Sequence, residues 1–234
     1  MNAFFSNLAG KNALRRTFIF TFAILFSLAL LFLFPSCKKT QDYFSYLSEY
    51  RSNLFLVETE QFSLRIYALE KEHPFVADGG VGELTKRTEL YMTTKDGSNR
   101  CAVTFDLDGK THGGECSYDS VKREYFYSCA VDTSSLSSIP LCVEIEGSRY
   151  EVTAYSVKNT GVLSGREILN RLQEQEGDLF VYLTDKNGFL AEIHLRLLYE
   201  ETPYYYIGIV EKSGKTTAFL LDAATGKILA KRES

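Results

Sequence analysis

FSLRIYA, residues 62–68, decides the fold class because apolar and polar side chains alternate along it. A period of two places alternate side chains on the two faces of a β-strand. The alternation recurs at 89–93 and 102–107, and further strand-like runs follow at 125–131, 141–145 and 150–156. Turn dipeptides stand between several of these runs, namely Asp96-Gly97, Asp108-Gly109 and Gly147-Ser148. The pattern predicts a mainly β chain with an antiparallel β-sandwich over residues 54–157.

Residues 38–53, just before the sandwich, are predicted to form a stalk helix. Tyr43, Leu47, Tyr50 and Leu54 recur at i, i+4, i+7 and i+11, which is one apolar stripe of a helix. Within the sandwich, the longest stretch without a periodic pattern is 70–87. This stretch is expected to be a surface loop, where a ligand edge would be sought.

Residues 17–34, TFIFTFAILFSLALLFLF, contain no charge. As a helix they would span about 27 Å, close to the thickness of a bilayer's hydrocarbon core. The preceding residues carry Lys11, Arg15 and Arg16 and no acid, so the positive-inside rule keeps the amino terminus in the cytoplasm. The sequence therefore predicts a cell-membrane protein with an N-terminal membrane helix in residues 1–37 and most of the chain on the extracytoplasmic side.

Two mature forms fit this segment. It has the length of an uncleaved signal anchor, since a secretory signal usually needs only about 7–15 apolar residues. Alternatively, residues 33–37, LFPSC, resemble a bacterial lipobox, and Cys37 would then be lipidated and become the first residue after cleavage. Both forms attach the chain to the membrane, through residues 17–34 or through lipid on Cys37.

The charge of the exported part argues against acidic partners. Beyond residue 37 the chain has 23 Lys and Arg against 30 Asp and Glu, a net charge of −7. Nucleic acid and anionic headgroups need a basic face, so neither is expected as a partner.

All fifteen tyrosines follow residue 42. Tyrosine suits half-buried strands, and it also suits a groove for a sugar or a peptide.

The pattern changes to that of a helix near residue 164. Ser164 and Glu167 form a capping box, and Ile168, Leu169 and Leu172 make one apolar face. Further runs with strand character then follow at 190–199, 204–210, 216–221 and 227–230.

This order, a capped helix and then antiparallel strands ending in FLLDAATGKIL at 219–229, resembles a PepSY-type module over residues 160–232. The matching turn contains Asp222, Thr225 and Gly226. The resemblance implies a small non-catalytic α+β module of the kind found in peptidase propeptides and in membrane-anchored extracytoplasmic regulators of Gram-positive bacteria. Residues 178–188 depart from the family pattern as an insertion. Residues 54–157 carry no family resemblance.

Four cysteines lie in the exported part, where disulfides are permitted. A two-residue turn at Asp108-Gly109 pairs residues whose numbers sum to 217, so Cys101 and Cys116 are expected to face each other. Cys129 and Cys142 flank the next connection and could form a second bond, with buried free thiols as the alternative in both cases.

No catalytic or metal-binding motif is found. His194 alternates with Glu192 and Arg196, which predicts a solvated strand face, and no cofactor or metal site is predicted. The expected function is therefore that of a non-catalytic, membrane-tethered extracytoplasmic binding or regulatory protein with a protein or peptide partner. The alternatives are a cell-surface hydrolase and a structural envelope protein.

Overall fold

The computed structural model describes residues 41–72, 80–95, 97, 100–158 and 161–234. Residues 42–234 form one compact unit. The predicted membrane segment 17–34 and Cys37 lie outside the described residues. Within the described ranges, no helix is both long enough and apolar enough to cross a bilayer.

The unit is mostly β. A short 3-10 helix at Tyr43–Tyr46 precedes the first strand, and two α-helices follow the ninth strand: α1 (Gly165–Gln175) and α2 (Gly177–Tyr182). The strands are β1 (Leu47–Glu58), β2 (Phe62–Glu72), β3 (Leu84–Thr94), β4 (Cys101–Leu107), β5 (Lys110–Glu115), β6 (Ser117–Asp119), β7 (Glu124–Cys129), β8 (Ser138–Ile145), β9 (Ser148–Ser156), β10 (Thr184–Asp185), β11 (Gly188–Phe189), β12 (Ala191–Tyr199), β13 (Pro203–Glu211), β14 (Thr216–Asp222) and β15 (Ile228–Glu233).

Thirteen of these strands belong to one sheet. Strand β1 pairs with β2 along one edge, and the order continues through β3, β7 and β6. Along its other edge β1 pairs first with β12 and then with β9, from which β8, β4 and β5 follow. Because β5 runs on into β6 through Cys116, one stretch of chain bonds to both β4 and β7. The antiparallel part of the sheet is therefore nearly closed.

Strand β1 is shared between two parts of the structure. Residues 47–51 pair in parallel with β12, whereas Phe55 and Leu56 pair antiparallel with β9. The register with β2 shifts between Arg51 and Asn53, which marks a bulge at the point where the neighbour changes. A bulge bends a strand and increases its twist. It thus allows one strand to follow two diverging neighbours.

The predicted stalk helix over residues 38–53 is wrong where the structure describes it. Residues 43–46 form a single 3-10 turn, and residues 47–53 belong to β1. The spacing of apolar residues resembled a helix because β1 has neighbours on both edges and buries side chains on both faces, including Leu54 and Phe55. Pairing with distant strands overrides the local pattern.

The mainly β prediction is confirmed, but the strands form one nearly closed sheet instead of two separate facing sheets. Both ends of the expected loop at 70–87 belong to strands, since β2 continues to Glu72 and β3 begins at Leu84, while residues 73–79 lie outside the described residues. The register of the β4–β5 hairpin is as expected, with Leu107 opposite Lys110. Both turn residues, Asp108 and Gly109, have positive φ, as a two-residue hairpin of this type requires.

The described residues form two main hydrophobic cores, on the two sides of the β1 bulge, and a small third cluster of Leu54, Tyr67 and Leu69. The closed-sheet core is enclosed by the antiparallel strands and includes Phe55, Phe62, Leu64, Ile66, Leu90 and Val143. The C-terminal core packs α1 and α2 on β12–β14 and includes Leu47, Ile168, Leu172, Phe180, Ile193, Leu195 and Phe219. A domain boundary near residues 157–160 stays a prediction, since the sheet runs through both cores and Leu47 of β1 belongs to the C-terminal one.

Helix α1 begins as predicted. The Ser164 hydroxyl accepts a hydrogen bond from the Glu167 amide, and the Glu167 carboxylate accepts from the Ser164 amide. Residues 178–188, the insertion noted in the sequence, contain most of α2 and the small β10–β11 hairpin.

Asn53 connects the bulge of β1 to the neighbouring end of β9 and to a loop. Its amide nitrogen donates to the carbonyl oxygens of Ser134 and Leu136 at 3.3 and 3.1 Å. Its amide oxygen accepts from the Leu54 amide and from the Ser156 hydroxyl at 2.9 and 2.6 Å. The side chain is buried, and these four bonds connect β1, the end of β9 and the 130–137 loop.

Replacing Asn53 with Ala should therefore destabilise the whole unit. Each polar group left without its partner in a buried site costs about 1–3 kcal/mol, so we expect Asn53→Ala to lower the free energy of unfolding by about 2–4 kcal/mol. Urea unfolding of the full chain measures this change. The control is Asn187→Ala in the exposed β10–β11 turn, where the side-chain amide donates only to Asp185. Equal losses in the two variants would contradict the role given to Asn53.

Candidate functional site

The candidate site lies on the face of the sheet that points away from both main cores. On β12, Ile193, Leu195 and Leu197 enter the C-terminal core, while alternate residues point to the other face. Strands β1, β2 and β3 continue this second face. Polar and aromatic residues are concentrated there, and we call this surface the network face: Glu49, Arg51, Tyr67, Lys71, Glu89, Tyr91, Glu192, His194 and Arg196.

Glu49 is the centre of the network. Its side chain is 8% exposed, and its two oxygens accept from Arg51 on the same strand, at 2.6 Å, and from Arg196 on β12. Burial raises the pKa of Glu49, but the charges and hydrogen bonds of the two arginines outweigh burial and hold the pKa below its ordinary value. Glu49 is therefore ionised at neutral pH and ties the two parallel strands together.

Each arginine also contacts an aromatic ring. The Arg51 guanidinium lies 4.7 Å from the centre of the Tyr67 ring, and the Arg196 guanidinium lies 5.4 Å from that of Tyr206. A guanidinium over a ring face is attracted by the ring's quadrupole. Each cation is therefore held by a ring as well as by Glu49.

A second carboxylate, Glu89, organises the neighbouring strands. Lys71 donates to one of its oxygens at 2.8 Å, and the Tyr91 hydroxyl donates to the other at 2.9 Å. Burial and the charge of Glu89 raise the pKa of Tyr91, which therefore stays a neutral donor. The Tyr91 ring lies 5.8 Å from the Tyr67 ring and 5.1 Å from the Phe126 ring. These three rings form an aromatic row that runs from β2 through β3 to β7.

The aromatic row ends in a pocket of about 290 Å³. Tyr91, Phe126 and Tyr118 supply its aromatic surface, and Asp119, Lys122 and Glu124 supply charged groups. Tyr118 is 53% exposed. A volume near 300 Å³ is at the lower end of small-molecule sites, so it has room for one sugar ring or one large side chain.

The prediction that His194 lies on a solvated face is wrong. His194 is 9% exposed, and its Nε2 lies 3.3 Å from a carboxylate oxygen of Glu192, whose side chain is fully buried. Burial, followed by the charge of Arg196, lowers the pKa of His194. The imidazole is therefore neutral at pH 7, as a buried member of the network face.

The turn that carries the PepSY resemblance lies apart from the network face. Asp222 accepts from the amide and the hydroxyl of Thr225, both at 2.7 Å, and these bonds lower the pKa of Asp222. Gly226 has φ +72°, and a Cβ there would come within 2.8 Å of Arg171 on α1. Gln175 donates to the Gly226 carbonyl at 2.8 Å, so the turn is held against the helix.

The cysteines fall into two groups. Cys101 and Cys116 lie opposite each other, with the Cys116 amide donating to the Cys101 carbonyl at 2.8 Å, and both side chains pack into the closed-sheet core. Burial and the neighbouring Cys101 raise the pKa of Cys116 to about 12. Cys129 packs against the same core, whereas Cys142 accepts a hydrogen bond from Arg149 on the outside of the sheet.

No disulfide joins these four cysteines, which are thiols in the described residues. Cys101 and Cys116 nevertheless lie opposite each other in the β4–β5 hairpin, and a disulfide between them stays a prediction. The structure places Cys129 and Cys142 on opposite faces and gives that second bond no support.

A second groove, of about 640 Å³, runs along the outside of β4, β8 and β9. Its acids are Asp106, which accepts from the Thr111 hydroxyl at 2.6 Å, and Glu151, which lies 3.8 Å from Arg149. No group of three or more His, Cys, Asp and Glu residues suited to a metal ion occurs in the part of the chain that the structure describes.

Comparison with known proteins finds no match to a family model, to a curated protein or to a solved structure. The site is therefore assessed on its own geometry.

Removing the charge of Glu49 should weaken the network face strongly. In Glu49→Gln, two partly buried arginines lose their counter-charge, and we expect a loss of about 2–4 kcal/mol in unfolding free energy, because breaking a buried pair costs more than an exposed one. Urea unfolding at pH 7 tests this. Glu58→Gln is the matched control, because the Glu58 side chain is 73% exposed and its ion pair with Lys95 is long, at 3.8 Å. A small effect in both variants would show that the Glu49 ion pairs add no stability.

Proposed function

We propose that the chain is a membrane-tethered extracytoplasmic binding protein whose ligand contacts the network face at its aromatic end. The tether is the uncharged segment 17–34, or lipid on Cys37. The observation that carries the binding role is the pocket of Tyr91, Phe126 and Tyr118, set beside ordered charged groups. The ligand of such a site is a sugar ring or an aromatic or aliphatic side chain of a peptide.

The arrangement of the site supports binding more than catalysis. Glu49 and Glu89 are each held by two donors, so neither carboxylate is available as a base without breaking an ion pair. The rings beside them are held by edge-to-face and cation–π contacts. Side chains held in this way form a rigid surface, which loses little entropy when a ligand binds.

The proposal includes a PepSY-like role for residues 160–232. The support is the order of a capped helix and four antiparallel strands, together with the Asp222–Gly226 turn bonded to α1. In this reading the C-terminal part is a non-catalytic module attached to the binding sheet through β1 and β12.

The tether can be tested in Gram-positive cells that produce the full chain with Ser234→Cys. Ser234 is exposed, so we expect a membrane-impermeant maleimide to label this variant in intact cells above the background of the unchanged chain. The readout is labelled protein in the membrane fraction. Labelling that occurs only after lysis would place the carboxyl terminus inside and contradict the proposal.

The binding role can be tested by photocrosslinking on the same cells. A photoreactive phenylalanine at position 118 lines the pocket, while the same residue at position 155 replaces a tyrosine that is 67% exposed on β9. We expect a discrete adduct from position 118 and none from position 155. Identical adducts at both positions, or none at position 118, would show that the pocket is not a binding site.

A further inference from the structure

Three large apolar side chains project from one end of the C-terminal core. Val181 and Tyr182 at the end of α2 are 73% and 75% exposed, and Leu190 before β12 is 49% exposed. They belong to one surface, because the Leu190 amide donates to the carbonyl of Leu183, the residue that follows Tyr182, at 2.8 Å. We call these three residues the apolar tip. Isolated exposed apolar residues are common, but a contiguous group usually marks a contact surface.

The first described residues of the folded unit lie at this same end. The Tyr43 ring packs 4.7 Å from Phe180 and 5.1 Å from Phe189, and its hydroxyl lies 3.4 Å from that of Thr184. Phe180 and Thr184 are within two residues of Val181 and Tyr182 along the chain. The point where the chain enters the folded unit is thus beside the apolar tip.

The chain between this point and the tether is short. Tyr43 is six residue steps beyond Cys37 and nine beyond Phe34, the end of the apolar run. Fully extended, these two segments reach about 20 Å and about 30 Å. Either form of the tether therefore keeps this end of the folded unit near the bilayer surface.

We propose that the apolar tip contacts the lipid bilayer and inserts Tyr182 and its neighbours at the interface. The inference rests on the proposed tether. Tyrosine is favoured at membrane interfaces because its ring is apolar and its hydroxyl reaches water. The exported part has a net charge of −7, so burial of apolar surface and not attraction to anionic headgroups drives the contact. We therefore expect the apolar tip to contact a bilayer made of zwitterionic lipid alone.

The test uses the full chain in nanodiscs that hold one copy each and contain phosphatidylcholine with a photoactivatable group near the headgroup. Crosslinked lipid is mapped by mass spectrometry. We expect several-fold more lipid on the peptide spanning 177–190 than on the peptide spanning 148–156, which contains the similarly exposed Tyr155. The double variant Val181→Asn/Leu190→Asn should lose most of this difference. Val121→Asn, at an exposed valine in the β6–β7 turn, should keep it.

The possible outcomes distinguish failure of the proposed lipid contact from failure of the proposed tether. Equal or absent lipid adducts on the two peptides, in chains that remain on the discs, would overturn the contact while leaving the tether intact. Single-copy discs exclude protection by a second copy. Chains that do not stay on the discs would overturn the tether, and the contact inferred from it would be lost as well.

Discussion

The structure depends on strand β1, which pairs with two different strands in succession along one of its edges. The first half of β1 pairs with β12, its second half pairs with β9, and the bulge between Arg51 and Asn53 allows the change. An extra residue at this point leaves backbone groups that the ladder cannot satisfy. The Asn53 side chain holds this point of β1, since it accepts from the Leu54 amide and the Ser156 hydroxyl and donates to two carbonyl oxygens of the 130–137 loop.

The network face follows from the same pairing. Arg196 meets Glu49 because β12 lies parallel to β1, with Glu49 opposite His194 and Arg51 opposite Arg196. The pairing of β2 and β3 then brings Lys71 to Glu89 and Tyr67 to Tyr91. A shift of one residue in any of these strands would turn the charged side chains into the cores. The register of β1 therefore sets both the packing and the chemistry of the surface.

Local signals in the sequence predicted much of the fold. Period-two alternation located most strands, the Asp108-Gly109 turn set the hairpin register, and the Ser164–Glu167 capping box located α1. These features depend on residues close together in the chain. The site was missed because its partners are far apart: Glu49 and Arg196 are separated by 147 residues. A polar residue in an alternating strand also looks solvated from sequence alone, which is why the burial of His194 was not predicted. Charged and aromatic residues recurring on the polar faces of β1, β2, β3 and β12 were the only available signal.

Because β1 belongs to both cores, the two cores should unfold as one cooperative unit. Hydrogen exchange of the full chain at increasing urea, followed by mass spectrometry, measures the opening free energy of each strand. We expect the most protected amides of β12–β13 and those of β2–β3 to open with the same free energy and the same dependence on urea. Opening of β12–β14 at clearly lower urea, while β2, β3 and β7 stay protected, would show two independent domains and would contradict the role given to β1.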